Sequence, residues 1–179
     1  MPDFLPVLTA QEIEDKVTAL AERISRDYRD RDLVVVGVLK GAFVFLSDLV
    51  RKLTIPVTID FAWCSSYGNK DSSTGKVTRI AGIKTDVTGK DVIIVEDILD
   101  TGFTISKLKI YLESLKPKSI KVCAFIDKNE RRKVDVKADY AGHCVQKGFL
   151  VGYGLDYADK YRHLPAIYEL YNISSEDAK

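Results

Sequence analysis

The stretch Val-Ile-Ile-Val-Glu-Asp-Ile-Leu-Asp-Thr-Gly-Phe-Thr at positions 92–104 decides the fold. Its first four residues are β-branched and uninterrupted, the pattern of a strand buried on both faces. Glu96 and Asp97 stand where such a strand leaves the core, and since successive strand residues point to opposite faces, adjacent acids can serve two different groups. Asp100, Thr101, Gly102 and Thr104 follow where a helix should begin. There a Gly frees the backbone to curl, and hydroxyls and amides can meet an anion. A capped helix start alone would account for Asp100 or Thr101. It does not account for three carboxylates in one short turn, whose repulsion calls for a cation or hydroxyl partners. The turn reads as a phosphate grip beside acids that face a polyol or Mg2+.

Working outward, the chain alternates helices and strands without repeats or low-complexity linkers. Thr9 and Glu12 form a capping box, and Ile13, Val17, Leu20, Ala21 and Ile24 recur at helical spacing. Residues 33–39 read as a buried strand, with Phe43, Leu46, Leu49, Val50 and Leu53 on the helix behind it. Ile55, Val57, Ile59, Phe61 and Trp63 alternate with more polar neighbours, as in a strand with unequal faces. After the strand at 92–95, Ile105, Leu108, Leu112 and Leu115 mark a helix, and residues 120–126 another strand. This order predicts an α/β fold with a parallel sheet, whose ligands gather at the carboxyl ends of the strands.

With 179 residues and 46% hydrophobic content the expectation is one domain spanning 1–179. A formal net charge of +1 argues against nucleic acid or an anionic membrane as a bulk electrostatic partner. The first ten residues have no basic region and no long apolar stretch, so a cytoplasmic location is the default expectation. Cys64, Cys123 and Cys144 lack metal-ligand spacing and are expected as buried free thiols.

Other chemistry-bearing residues fall at predicted strand ends. Lys40 and Gly41 join the strand at 33–39 to its helix and offer one positive charge with a backbone that an anion can approach, although a Lys-Gly turn is also an ordinary connector. Residues 64–76 are too polar to bury and too long for a simple hairpin, which predicts a mobile surface loop. Asp127 and Lys128 follow the strand at 120–126, which puts Lys128 at a strand end, whereas Arg131, Arg132 and Lys133 read as solvated charge. Phe149 and Leu150 offer an aromatic face and an apolar wall, and Asp156 with Arg162 reads in isolation as a surface ion pair. Neither His143 nor His163 has a nucleophile pattern nearby.

The run Val-Glu-Asp-Ile-Leu-Asp-Thr-Gly-Phe-Thr at 95–104 resembles the phosphoribosyl diphosphate (PRPP) signature of the type I phosphoribosyltransferases, specifically the hypoxanthine-guanine branch. Leu39-Lys40-Gly41, Ser66-Tyr67, Asp127-Lys128, the stretch 149–156 and Arg162 extend the resemblance in the same order over nearly the whole chain. It implies a parallel-sheet fold with a small base-binding hood and a mobile loop acting as a lid. It also implies formation of a nucleoside monophosphate from PRPP and an oxopurine, with Mg2+ as cofactor. Glu96 and Asp97 would hold the ribose hydroxyls, directly or through Mg2+, and the turn formed by Asp100, Thr101, Gly102, Phe103 and Thr104 would grip the 5'-phosphate. Asp100 would be the general acid/base at N7 as N9 attacks. The pyrophosphate would fall to Lys40 and Gly41, in a turn that often carries a cis peptide before the Lys, and to Ser66, Tyr67 and Arg162. For the base, Lys128 would donate to the 6-oxo group, Phe149 would stack, Leu150 would read the edge through its backbone, and Asp156 would sit at a second Mg2+ or its water. Related enzymes are commonly dimers or tetramers.

The chain departs from the family pattern at Phe103, at Asn129 after the base-reading Lys, and at Gln146-Lys147-Gly148 before the stacking Phe. Preference among hypoxanthine, guanine and xanthine stays open at this point. A PRPP-sensing regulator on the same fold is the alternative from another class, disfavoured because the first helix begins near Thr9, without room for a DNA-binding extension. A dinucleotide-binding module would need Gly-x-Gly-x-x-Gly after its first strand, which Gly37 and Gly41 do not supply. An adenine or pyrimidine transferase would differ in the surroundings of Lys128 and Phe149.

Overall fold

A computed structural model describes residues 3–67 and 77–172, and among these the chain runs through β1 (Asp3–Leu8), α1 (Ala10–Asp27), β2 (Leu33–Leu39), α2 (Phe43–Lys52), β3 (Thr58–Tyr67), β4 (Val77–Ala81), β5 (Asp91–Leu99), α3 (Phe103–Ser114), β6 (Ser119–Lys128), β7 (Tyr140–Val145), β8 (Leu150–Val151) and β9 (Ile167–Tyr171). The main sheet has the order β4-β3-β2-β5-β6-β7, parallel throughout except for the antiparallel edge β3–β4. A second, antiparallel sheet, β1-β9-β8, forms a small hood from widely separated parts of the chain.

Period-two alternation in the central strands feeds two separate cores. Val35, Ile93, Val95, Cys123 and Phe125 pack with α1 and α2 on one face. Val34, Val36, Val92, Ile94, Val122 and Ala124 pack with α3 on the other. The α1 capping box is present, the Glu12 amide donating to Thr9 Oγ1 at 3.2 Å and the Thr9 amide to Glu12 Oε2 at 2.8 Å. All five residues read as the apolar stripe of α1 are buried.

Several expectations change. On α2, Phe43 is exposed and Phe45 takes the core position. The strand expected from Ile55 starts at Thr58, and Ile59, Phe61 and Trp63 lie on its open face, 40–47% exposed, while Ala62 is buried on the other. The reason is placement: α2 packs over β2 and β5 and leaves this face of β3 uncovered. Cys123 is a buried free thiol, but Cys64 is half-buried and Cys144 exposed. Between β6 and β7 the helix-strand alternation lapses, and residues 129–139 cross without a helix. The loop proposed at 64–76 falls, from residue 68 onward, outside the described residues; Ser66 and Tyr67 end the β3 ladder opposite Thr78 and Val77.

Candidate active site

Three adjacent strands deliver the candidate residues to one edge of the sheet. Lys40 follows β2, Glu96 and Asp97 lie near the carboxyl end of strand β5 with Asp100 just beyond it, and Lys128 ends β6. Since β2, β5 and β6 are neighbours and parallel, their carboxyl ends form a single rim.

At β2, the Leu39–Lys40 peptide is cis. Gly41 is packed so closely that a Cβ on it would lie 1.8 Å from Asp97 Oδ2, and its carbonyl oxygen would be 2.2 Å from a Cβ on Gly154. Only Gly lets this turn pass between the β5 acid and the hood loop. Lys40 Nζ reaches Asp159 Oδ1 at 3.2 Å. The same Oδ1 lies 3.3 Å from Arg162 Nη2, while Arg162 also meets Asp156 Oδ1 at 2.6 Å and donates to the Gly154 carbonyl at 2.7 Å. Lys40 and Arg162 are thereby gathered by Asp159, a residue the sequence reading passed over. Bonds from those two cations hold the Asp159 carboxyl below its ordinary range.

At β5, Asp97 is buried and accepts from the Ile98 amide at 2.8 Å. Burial, then the neighbouring Asp97, pushes the Glu96 carboxyl well above the carboxylate range. Burial raises Asp97 as well, against the opposing pull of Glu96, Ile98 and Arg162. Glu96 Oε2 is buried with no partner among the described residues. Two clustered oxygen donors with an orphaned lone pair suit a hard divalent cation that keeps water or substrate oxygens in its remaining positions, as Mg2+ does. The described residues contain no cluster of three such ligands, and Asp156 is engaged by Arg162 and the Asp159 amide.

Beyond the acids, Gly102 caps α3 at φ 83°, where a Cβ would also strike Val134 Cγ2 at 2.7 Å. The amides of the first α3 turn have no partners within the helix, and Thr101 and Thr104 are half-buried beside them, so this turn can hold an anion. Phe103 is exposed. Asp100 Oδ1 is buried with no partner among the described residues, and Oδ2 lies 3.4 Å from Arg131 Nη1.

At β6, Lys128 is 6% exposed, unlike an ordinary surface Lys. Its Nζ donates to the Gly148 carbonyl at 2.7 Å and lies 3.5 Å from Glu130 Oε2. Phe149, which follows Gly148, is 41% exposed and meets Tyr157 edge-on, with centroids 5.3 Å apart. Leu150 is buried in β8.

The reading of Arg132 as solvated charge is wrong. Arg132 is largely buried, bonded to the Asp100, Leu99 and Lys128 carbonyls and to Asp127. A signal was available: along 131–137 the exposed charges occupy odd positions, while Arg132, Val134 and Val136 turn inward at even ones.

The arrangement is that of an enzyme site at the carboxyl edge of a parallel sheet. Residues 6–158 match the phosphoribosyl transferase domain, and the chain belongs to that family of transferases. Within it, the chain is 45% identical over 163 residues to the hypoxanthine-guanine phosphoribosyltransferase of Aquifex aeolicus, covering 90% of this chain and 92% of that one. It is 42% identical over 158 residues to the hypoxanthine phosphoribosyltransferase of Salmonella typhimurium, covering 87% and 89%. The crystal structure of a Bacillus anthracis hypoxanthine-guanine phosphoribosyltransferase superposes with a TM-score of 0.87 at 45% identity, over 93% of this chain and 98% of that one.

Proposed function

We propose that the chain, acting as one domain, transfers the 5-phosphoribosyl group of PRPP to N9 of hypoxanthine or guanine, forming IMP or GMP and pyrophosphate in purine salvage. The observation that carries this is the order of groups along the rim. The cationic turn after β2, the acids and phosphate turn of β5 and the buried Lys of β6 are neighbours in the same sequence as pyrophosphate, ribose 5-phosphate and base in the reacting complex.

In this reading Lys40, with the close-approach backbone at Gly41 and with Ser66 and Tyr67, binds the departing pyrophosphate, and Arg162 binds it bidentately. Asp159 gives up Lys40 and Arg162 to the diphosphate, which carries more charge. Glu96 and Asp97 hold the ribose hydroxyls and would hold Mg2+, with Asp156 taking a second ion or its water. Bound Mg2+ would supply charge neutralisation on the diphosphate oxygens. Thr101, Gly102, Phe103 and Thr104 present backbone amides and hydroxyls to the 5'-phosphate. Asp100 manages the N7 proton while N9 attacks the cationic ribose carbon. Lys128 donates to the 6-oxo group, with two of its three ammonium protons directed elsewhere than Gly148. That donor opposes adenine, whose 6-amino group is itself a donor. Phe149 stacks on the base, and the Leu150 backbone reads its edge. Together these groups position reactants and stabilise charge, without covalent catalysis.

Exposed Ile59, Phe61 and Trp63 support self-association as a homodimer or homotetramer, which sedimentation at several concentrations tests. Free thiols support a cytoplasmic location, and among the described residues no helix is long and apolar enough to cross a membrane. The deciding experiment supplies PRPP and Mg2+ with hypoxanthine, guanine, xanthine or adenine separately, for wild type and Asp100→Asn. Conversion of hypoxanthine and guanine but not adenine, reduced at least 100-fold in the variant, is expected. Equal use of adenine removes the role of Lys128, and unchanged turnover in the variant removes Asp100 from the chemistry.

A further inference from the structure

Arg132 occupies the point where β5 and β6 stop pairing. The last registered pairs of that ladder are Ile98 with Ile126 and Leu99 with Asp127. Beyond them the strands diverge, β5 toward Asp100 and β6 toward Lys128. The Arg132 side chain folds back into this fork. Its Nε donates to the Asp100 carbonyl at 2.8 Å. Its Nη2 reaches the Leu99 carbonyl at 2.8 Å, Asp127 Oδ1 at 2.6 Å and the Lys128 carbonyl at 3.2 Å, and its Nη1 bonds the Val136 carbonyl. The three nitrogens of the planar fork thus meet five acceptors drawn from both strand ends and from the crossing segment, the two Nη2 protons being shared among three of them. A backbone bond from the Lys133 amide to the Thr101 carbonyl, 3.0 Å, fastens the same segment to the phosphate turn.

Two of the residues whose main chains Arg132 grips, Asp100 and Lys128, are those that would touch adjacent atoms of one base. N7 and the 6-oxo group lie side by side on the same purine edge. A base can therefore satisfy Asp100 and Lys128 together only if the two are held at the matching separation, and backbone pairing no longer sets that separation beyond Leu99. We infer that Arg132 is the positioning residue that fixes the spacing between Asp100 and Lys128, and so the register of the purine edge against the reacting ribose. The inference rests on the transferase reading above. Lys cannot substitute, because a compact ammonium with three donors cannot span acceptors on both strand ends.

The test is Arg132→Lys, with Asp127→Asn as a second variant that weakens the guanidinium's one charged partner. Steady-state kinetics with hypoxanthine and guanine are measured at 25 °C, together with PRPP binding by calorimetry and the melting temperature. The 5'-phosphate turn is built by the start of α3, so PRPP affinity should stay within about threefold of wild type. For Arg132→Lys the base KM should rise and kcat fall, each at least about tenfold, because misplacement by an ångström costs that much or more. Asp127→Asn should move the base KM in the same direction by threefold or more. A lowered melting temperature with unchanged base KM and kcat in both variants would reduce Arg132 to a structural role. If Arg132→Lys does not fold, the base KM of Asp127→Asn alone decides. Wild type run alongside separates the two readings: no product from wild type defeats the transferase reading, whereas product from both proteins with equal kinetics defeats only this one.

Discussion

Replacing Gly41 by Ala tests the packing of the turn after β2, the proposed pyrophosphate turn, against the β5 acids. The new methyl would lie 1.8 Å from Asp97 Oδ2 and 2.5 Å from Asp97 Cγ. Restoring an ordinary contact requires roughly 1.5 Å of separation. The turn has little room to retreat, because the Gly41 carbonyl oxygen already stands 2.2 Å from where a Cβ on Gly154 would lie. Asp97 must therefore rotate away, breaking its 2.8 Å bond from the Ile98 amide. Losing that buried bonding and overpacking the turn should cost about 1–3 kcal/mol of stability. A displacement of that size at a residue aimed at the ribose should lower kcat/KM for PRPP by about 100-fold or more. Urea unfolding and initial-rate kinetics measure the two quantities. In a double-mutant cycle, adding Asp97→Ala should recover most of the stability lost to Gly41→Ala, because the obstructing carboxyl is gone. A Gly41→Ala protein with kcat/KM within threefold of wild type and undiminished stability would refute the reasoning.

Lys128→Gln should lower kcat/KM for hypoxanthine and guanine by about 10- to 100-fold, the worth of one charged donor to a buried acceptor, with PRPP binding little changed; competition assays against adenine would reveal a narrowed gap. Asp60 is partly buried, which raises its carboxyl, but bonds from the Thr85, Lys84 and Phe61 amides outweigh burial and leave it below the ordinary range. Its stabilising effect is therefore present above the ordinary Asp value and lost as pH falls through the depressed folded value. Asp60→Asn should cost about 1 kcal/mol at pH 7 and progressively less below about pH 4, as urea titrations at several pH values would register. Burial, and then Glu96, push the Cys64 thiol up to about 11, whereas Cys144 is exposed. Alkylation at pH 8 followed by peptide mapping should find Cys144 modified well before Cys64, and equal rates would contradict the placement of Cys64.

The central strands and the helix stripes were legible because continuous β-branched runs and 3.6-residue spacing each admit few interpretations. The stretch at 92–104 carried both its strand and the turn that follows. The hood was less legible, since β8 contains only Leu150 and Val151 and its pairing partner β9 is recognisable only in space. Trp63 and Phe61 misled, because apolar alternation identifies a two-faced strand but not which face a helix will cover. The same limit applied in the site. Asp100 and Lys128 could be assigned to strand ends, while Arg132 and Asp159 act through neighbours distant in sequence. Arg132 meets Leu99 across 33 positions and Asp159 meets Lys40 across 119.

The pairing of β1 with β9 has a consequence for synthesis. Asp3 lies opposite Tyr171 and Leu8 opposite Ile167, so the hood's first strand must wait for nearly all the described chain before it has a partner. A nascent chain can assemble the rim of β2, β5 and β6 while the wall that carries Phe149 is still unmade. Such long-range closure comes late in folding. In the proposed reading, the half of the site that grips phosphate is then complete before the half that selects a base, and turnover waits for the pairing of β1 with β9.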